Sequence, residues 1–181
     1  MPVSRRLTIM LLALLIALGN GWEAKVHFTH SPPRKAGGVD GKIHVDGGRV
    51  RVEEPTPLGS TVILAADGKV RLLFPATKQF MEIDPGQSAL ATVPPVSLEG
   101  MKKVGKERLA GRACDIWEKT EQTLAGRIQQ RLWVPRGAKP FVFLRFVTQT
   151  DRGATKADVT EIREAAQPAS LFEVPKDYAR K

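Results

Sequence analysis

Thr61-Val62-Ile63-Leu64-Ala65-Ala66-Asp67-Gly68-Lys69-Val70-Arg71-Leu72-Leu73-Phe74 carries the signals that decide the fold. Two short apolar runs flank Asp67-Gly68, a dipeptide suited to a two-residue hairpin turn because both central positions need positive φ. The pattern also stands upstream. Ile43 and Val45 alternate with Lys42, His44 and Asp46; after Asp46-Gly47-Gly48, Val50 and Val52 alternate with Arg49, Arg51 and Glu53. Alternation with period two puts every second side chain on one face of a strand. Gln79 to Ile83 extends this meander.

Downstream, the spacing predicts strands at Lys103 to Leu109, from Arg112 through Cys114 to Lys119, at Arg127 to Val134, at Phe141 to Gln149 and at Lys156 to Arg163. Ala110-Gly111, Pro135-Arg136-Gly137 and Asp151-Arg152-Gly153 supply the turns. Between Asp84 and Gly100, Pro85, Pro94 and Pro95 forbid a long helix or a central strand. That segment reads as a linker, a lid or a short helix. Short helices are expected only at Glu99 to Lys103 and Ala169 to Phe172. The result is a mainly β chain of nine or ten antiparallel strands, spaced as in a barrel or sandwich.

Several strands are apolar on both faces, which a sheet with one wet side would not be. Val62, Ile63 and Leu64 are consecutive, as are Leu72, Leu73 and Phe74. In Phe141 to Val147, Val142, Leu144 and Phe146 take one face, and Phe141, Phe143 and Val147 take the other with Arg145 among them. Two readings stay open: a second face covered by a helix or loop, or a curved sheet whose concave face is an apolar cavity. Arg145 is either a charge placed for a lipid phosphate or carboxylate, or a snorkelling side chain paired with an acid.

The N-terminus sets the compartment. Basic Arg5 and Arg6 precede the 12-residue uncharged run Leu7 to Leu18, and small residues follow at Gly19, Gly21 and Ala24. This is the layout of a secretory signal peptide in residues 1–24, with cleavage after 19, 21 or 24. The run is short of the roughly 20 residues of a spanning helix. An uncleaved anchor is the alternative. No cysteine stands at the exit, so no lipobox is present. The mature domain, 25–181, is then expected in the periplasm.

The net charge of +9 would ordinarily raise nucleic-acid binding. Export argues against that partner and leaves an anionic membrane surface, an acidic polymer or simple solubility. Cys114 is the single cysteine, so no internal disulfide can form; a buried, inert thiol is expected, with an intermolecular disulfide or a reactive thiol as the alternative. His27, His30 and His44 are the three histidines; three-residue spacing sends the first two to opposite faces of a strand, so no metal site is expected. No GxSxG, HExxH or P-loop occurs. The expected protein is not an enzyme and needs no cofactor.

Val104-Gly105-Lys106-Glu107-Arg108-Leu109-Ala110-Gly111-Arg112-Ala113-Cys114-Asp115-Ile116-Trp117, Leu132-Trp133-Val134-Pro135 and Ser170-Leu171-Phe172-Glu173-Val174-Pro175-Lys176-Asp177-Tyr178 resemble the matching strands and closing signature of an exported bacterial family of unknown function. That family is similar in fold to the LolA/LolB lipoprotein-carrier superfamily and to the periplasmic sensor RseB. The resemblance implies an incompletely closed antiparallel β-barrel, apolar on its concave face, under a short helical or loop lid. Pro94 and Pro95 point to a loop lid here. The expected function is binding of a hydrophobic ligand, either a lipid or acyl chain or a lipoprotein. An envelope interaction or sensory module is the alternative. Leu72, Phe74, Trp133, Phe141, Phe143 and Arg145 are the candidate lining residues.

Overall fold

The computed structural model describes residues 21–33, 36–57, 59–83, 93–123, 126–138 and 142–181. Residues 1–20 of the expected signal peptide, and the candidate Phe141, lie outside the described residues.

The first half of the chain forms β1 (Trp22–Ser31), β2 (Val39–Asp46), β3 (Arg49–Thr56), β4 (Gly59–Ala66), β5 (Lys69–Phe74) and β6 (Gln79–Ile83). The second half forms β7 (Lys102–Leu109), β8 (Arg112–Thr123), β9 (Gly126–Pro135), β10 (Arg145–Thr150), β11 (Gly153–Glu164) and β12 (Ala179–Arg180). All belong to one sheet in the order β12-β6-β5-β4-β3-β2-β1-β11-β10-β9-β8-β7. Pairing is antiparallel except where β12 runs parallel to β6. The two ends of that order do not pair, so the sheet is an open half-barrel. Mainly β, one unclosed antiparallel sheet and almost no helix are the architecture expected.

Turn chemistry explains the hairpins. Asp67 and Gly68 sit at φ 54° and 69°, and Ala110 and Gly111 at φ 49° and 75°. Successive positive φ values give the twist that matches a right-handed strand pair. Gly41 has a different task. A Cβ there would lie 2.3 Å from the Glu53 carbonyl oxygen and 2.7 Å from the Phe28 ring, so only glycine lets that ring cross β2.

Three expectations need correction. The described residues form twelve strands, because the alternation of Trp22, Ala24, Val26 and Phe28 makes a strand that begins before residue 25, and Ala179–Arg180 adds a short one. Glu99 to Lys103 is not helical: Gly100 turns at φ 71°, and Lys102 already pairs with Glu118. The strand placed at Phe141 begins at Arg145, and this resets the faces. Phe143 therefore packs with Phe146, while Leu144 packs with Val147 and Trp133 on the opposite side. The short 3-10 helix at Ala169–Phe172 is present as expected.

The concave face holds the main core. Trp22, Ala24, Val26 and Phe28 of β1 meet Ile43, Val45, Val50 and Val52 of β2 and β3, and Leu132, Phe146 and Ala157 of the second half. Phe143 stands edge-on to Trp22 with ring centroids 5.2 Å apart. The convex face is covered at two places. Val62, Leu64 and Leu73 lie under Phe80, Val174 and Tyr178. Cys114, Trp133 and Leu144 form a second cluster with Leu109, Ile116 and Val147. The consecutive apolar residues of β4 and β5 thus have a cover on each side, and the closing signature supplies the outer one.

Trp22 is fully buried, so Trp22→Ala is expected to lower unfolding free energy by about 3–5 kcal/mol. Urea denaturation measures it. A chain starting at Gly21 should match the parent, and one starting at Lys25 should show at least the Trp22→Ala loss. Cys114 is 1% exposed, and burial pushes its thiol pKa up. The folded protein should therefore resist a thiol reagent that labels the urea-unfolded chain within minutes.

Candidate functional site

Residues 93–101 cross the concave face as a strap with no strand or helix of their own. Val93, Val96, Leu98 and Met101 pack down onto the core. Among the described residues the polar contacts that hold the strap are few: within it Met101 N–H donates to the Leu98 carbonyl (3.0 Å) and Glu99 N–H to Ser97 Oγ (3.3 Å), and Gln130 Nε2 of β9 donates to the Val93 carbonyl (3.4 Å). The prolines explain this, since Pro94 and Pro95 have no N–H to give to a ladder. Beside the strap lies a cavity of about 580 Å³. Val50 and Ala65 of the sheet, Val93 to Val96 and Met101 of the strap, and Lys119, Glu121 and Gln130 of β8 and β9 line it.

The candidate lining residues divide between the faces. Leu72 packs against the concave core, and Phe143 is fully buried within it. Phe74 is half-buried, two residues further along β5 on the Leu72 side. Trp133 and Arg145 pair with each other across β9 and β10 and belong to the convex face. There the Arg145 guanidinium stacks 5.5 Å from the Trp133 ring centroid, and its Nε donates to Asp158 Oδ1. Trp133 Nε1 donates to Glu107 Oε2 at 2.5 Å. Arg145 thus has its own acid, one of the two readings left open. Missed by sequence reasoning were the strap residues Val93, Val96, Leu98 and Met101, and the wall residues Lys119, Glu121 and Gln130. The apolar residues of the Pro-rich segment were the available signal for the strap.

The histidines part company. His27 Nδ1 lies 2.7 Å from Asp40 Oδ1 at the surface. His44 is buried, with Nδ1 3.1 Å from Gln167 Oε1 and 3.7 Å from Glu23 Oε2. His30 points into the concavity, Nε2 2.7 Å from Glu54 Oε1 and Nδ1 3.2 Å from Thr155 Oγ1. Among the described residues no three His, Cys, Asp or Glu side chains are grouped as metal ligands. A second depression, of about 550 Å³, lies around Lys25, Lys42, Glu53 and Pro55; Lys25 is paired there with Glu161 of the adjoining strand, and Glu53 with Arg51 of its own strand.

No protein-family model and no curated protein matches this sequence. Solved structures do match in fold. An uncharacterized conserved protein from Thermus thermophilus superposes with a TM-score of 0.55 at 19% identity, over 89% of this chain and 90% of that one. A DUF1329 family protein from Desulfovibrio piger gives 0.46 at 12% identity over 86% and 90%. Lipoprotein LppX from Mycobacterium tuberculosis gives 0.43 at 11% identity over 82% and 89%. The Thermus likeness is one of fold. The open half-barrel is the architecture expected from the sequence.

Burial pushes the Asp158 carboxyl up, but hydrogen bonds from Lys156 and Arg145 outweigh it and hold the group below its ordinary value of 3.8. A carboxyl whose pKa is lower in the folded chain stabilises above the unfolded pKa and loses that contribution as pH falls through the folded one. Asp158→Asn should therefore be less stable than the parent at pH 6, and the gap should close as pH falls below 3.8. Thermal unfolding across pH 2 to 7 measures this.

Proposed function

We propose that this chain is a non-enzymatic envelope protein that holds a hydrophobic ligand, a lipid or acyl chain or the lipid part of a lipoprotein, in the concavity beneath the 93–101 strap. The observation that carries the reading is the strap itself. Its apolar side chains occupy the concave face, yet it is joined to the sheet by a single described hydrogen bond, from Gln130. Val93, Val96, Leu98 and Met101 thus fill the place an acyl chain would take, and they can leave without breaking a strand pair. The 580 Å³ cavity beside them gives the ligand an entry. Each methylene transferred from water contributes about 0.8 kcal/mol, so affinity needs no catalytic group or cofactor. The basic balance of the chain suits an approach to anionic lipid and asks for no nucleic acid.

The compartment follows from the N-terminus. A leader cut after Gly19 or Gly21 leaves Trp22 in the domain, whereas a cut after Ala24 removes a fully buried tryptophan. The burial of Trp22 supports a periplasmic mature chain that starts at Asn20 or Trp22 over one that starts at Lys25.

Protein purified from the cell envelope and examined by native mass spectrometry should carry lipid near one per chain. Once delipidated, it should take up a fluorescent fatty acid. Uptake should also raise tryptic cleavage at Lys102 and Lys103, because a displaced strap frees the segment that leads into β7. A lipid-free protein that takes up no probe, with unchanged cleavage, overturns the reading.

A further inference from the structure

The concave face is not uniformly apolar. Along β8, Trp117 gives way to Lys119; along β9, Leu132 to Gln130; along β10, Phe146 to Thr148; along β11, Ala157 to Thr155; along β1, Phe28 to His30. The register places these changes side by side. Lys119 pairs with Gln130, Gln130 with Thr148, Thr148 with Thr155 and Thr155 with His30. In β3, Val52 gives way to Glu54, which His30 reaches with its ring. Five neighbouring strands therefore switch from apolar to polar in step, and Glu54 of β3 joins them through His30.

This belt is not a wet rim. Thr148 is 1% exposed and Thr155 9%, and the side chains of His30 and Glu54 are 6% and 11% exposed. Buried polar groups are ordinarily satisfied, because an unpaired one forfeits its hydration. Most of the belt is. Thr148 Oγ1 is not: it is buried with no hydrogen-bond partner. Next to it across the ladder stands Gln130, which lines the cavity and holds the Val93 carbonyl of the strap. The strap thus presents apolar side chains to the apolar layer and a carbonyl oxygen to the belt.

We infer that the ligand is an amphiphile whose uncharged, ester- or hydroxyl-bearing head is hydrogen-bonded by Gln130 and Thr148 at this belt, with its chain lying on the apolar layer. The inference rests on the hydrophobic-ligand reading and names the class of ligand. Charge balance selects the neutral head. Lys119 is paired with Glu121, and the His30 ring is hydrogen-bonded to Glu54, so a carboxylate or phosphate would have to compete for donors already engaged and would meet two carboxylates. A carbonyl asks only for the Gln130 amide now given to Val93 and the hydroxyl that Thr148 has to spare.

Displacement of a fluorescent fatty acid from the delipidated full chain tests this with three competitors of equal chain length: 1-monododecanoylglycerol, dodecanoate and dodecane. The glycerol ester should displace the probe at about tenfold lower concentration than the other two, as one or two net hydrogen bonds provide. Thr148→Val and Gln130→Leu should each reduce that preference to about threefold or less while leaving dodecane unchanged relative to dodecanoate. Thr148→Val is near-isosteric and removes an orphan hydroxyl, so its thermal midpoint should equal or exceed the parent's. Dodecanoate binding as well as the ester, or variants that keep the full preference, would overturn the inference while leaving an apolar site. Failure of all three to displace or bind would overturn the ligand reading itself.

Discussion

Everything in this molecule hangs on one strand pair. β1 joins β11 in a register running from Trp22 opposite Glu164 to Ser31 opposite Ala154, with a bulge near Lys25. On one side of it lies the meander β2 to β6, and on the other the meander β11 back to β7. Neither half owns a complete core. Ile43, Val50 and Ile63 come from the first, Leu132, Phe146 and Ala157 from the second, and Trp22 with Phe28 lies between them. Removing that pair would leave two curved sheets, each with one apolar face open to water, a condition that small sheets do not survive alone.

The parts of this plan that obey local rules were legible in the residues. Asp67-Gly68 turned as its chemistry requires, and the alternation of β2 and β3 gave their inner faces correctly. The alternation of Trp22 to Phe28 was equally plain, but it lies across the boundary expected for the leader, and that masked a strand. Other features were not available locally. Trp133 stands between apolar Leu132 and Val134, so alternation in β9 does not tell which side it takes, and only its packing with Cys114 and Leu144 does. The outer cover of β4 and β5 comes from residues a hundred positions later, and no periodicity announces such a contact. The candidate site fared accordingly: Leu72 and Phe143 reached the concave side, Trp133 and Arg145 the other, and the belt emerged only from the register of five strands.

An unclosed sheet leaves two edges at which another chain could add a strand. The two are treated differently. At β6 the tail of the chain lays Ala179–Arg180 alongside, and Ala179 N–H donates to the Lys78 carbonyl at 2.9 Å. At β7 no described strand pairs with the outer edge, which carries Lys102, Lys103, Lys106 and Arg108, and its bulge near Val104 breaks the even row of donors and acceptors. Positive charge and irregularity both discourage a neighbour from pairing there. The half-barrel can thus stay open without becoming a template for polymerisation.

The β1–β11 pair also has a meaning in time. A ribosome or a translocation pore delivers β1 first, and its partner is the last long strand, more than a hundred residues behind. Hairpins of the first meander can form early, but the inner face of β1 has no second sheet to meet until Glu164 is free. Loops that long close slowly, and chains dominated by such contacts fold late. For most proteins that delay is a hazard. In the export proposed above, where the chain is threaded through a membrane before it folds, the same delay keeps it soft until the crossing is complete.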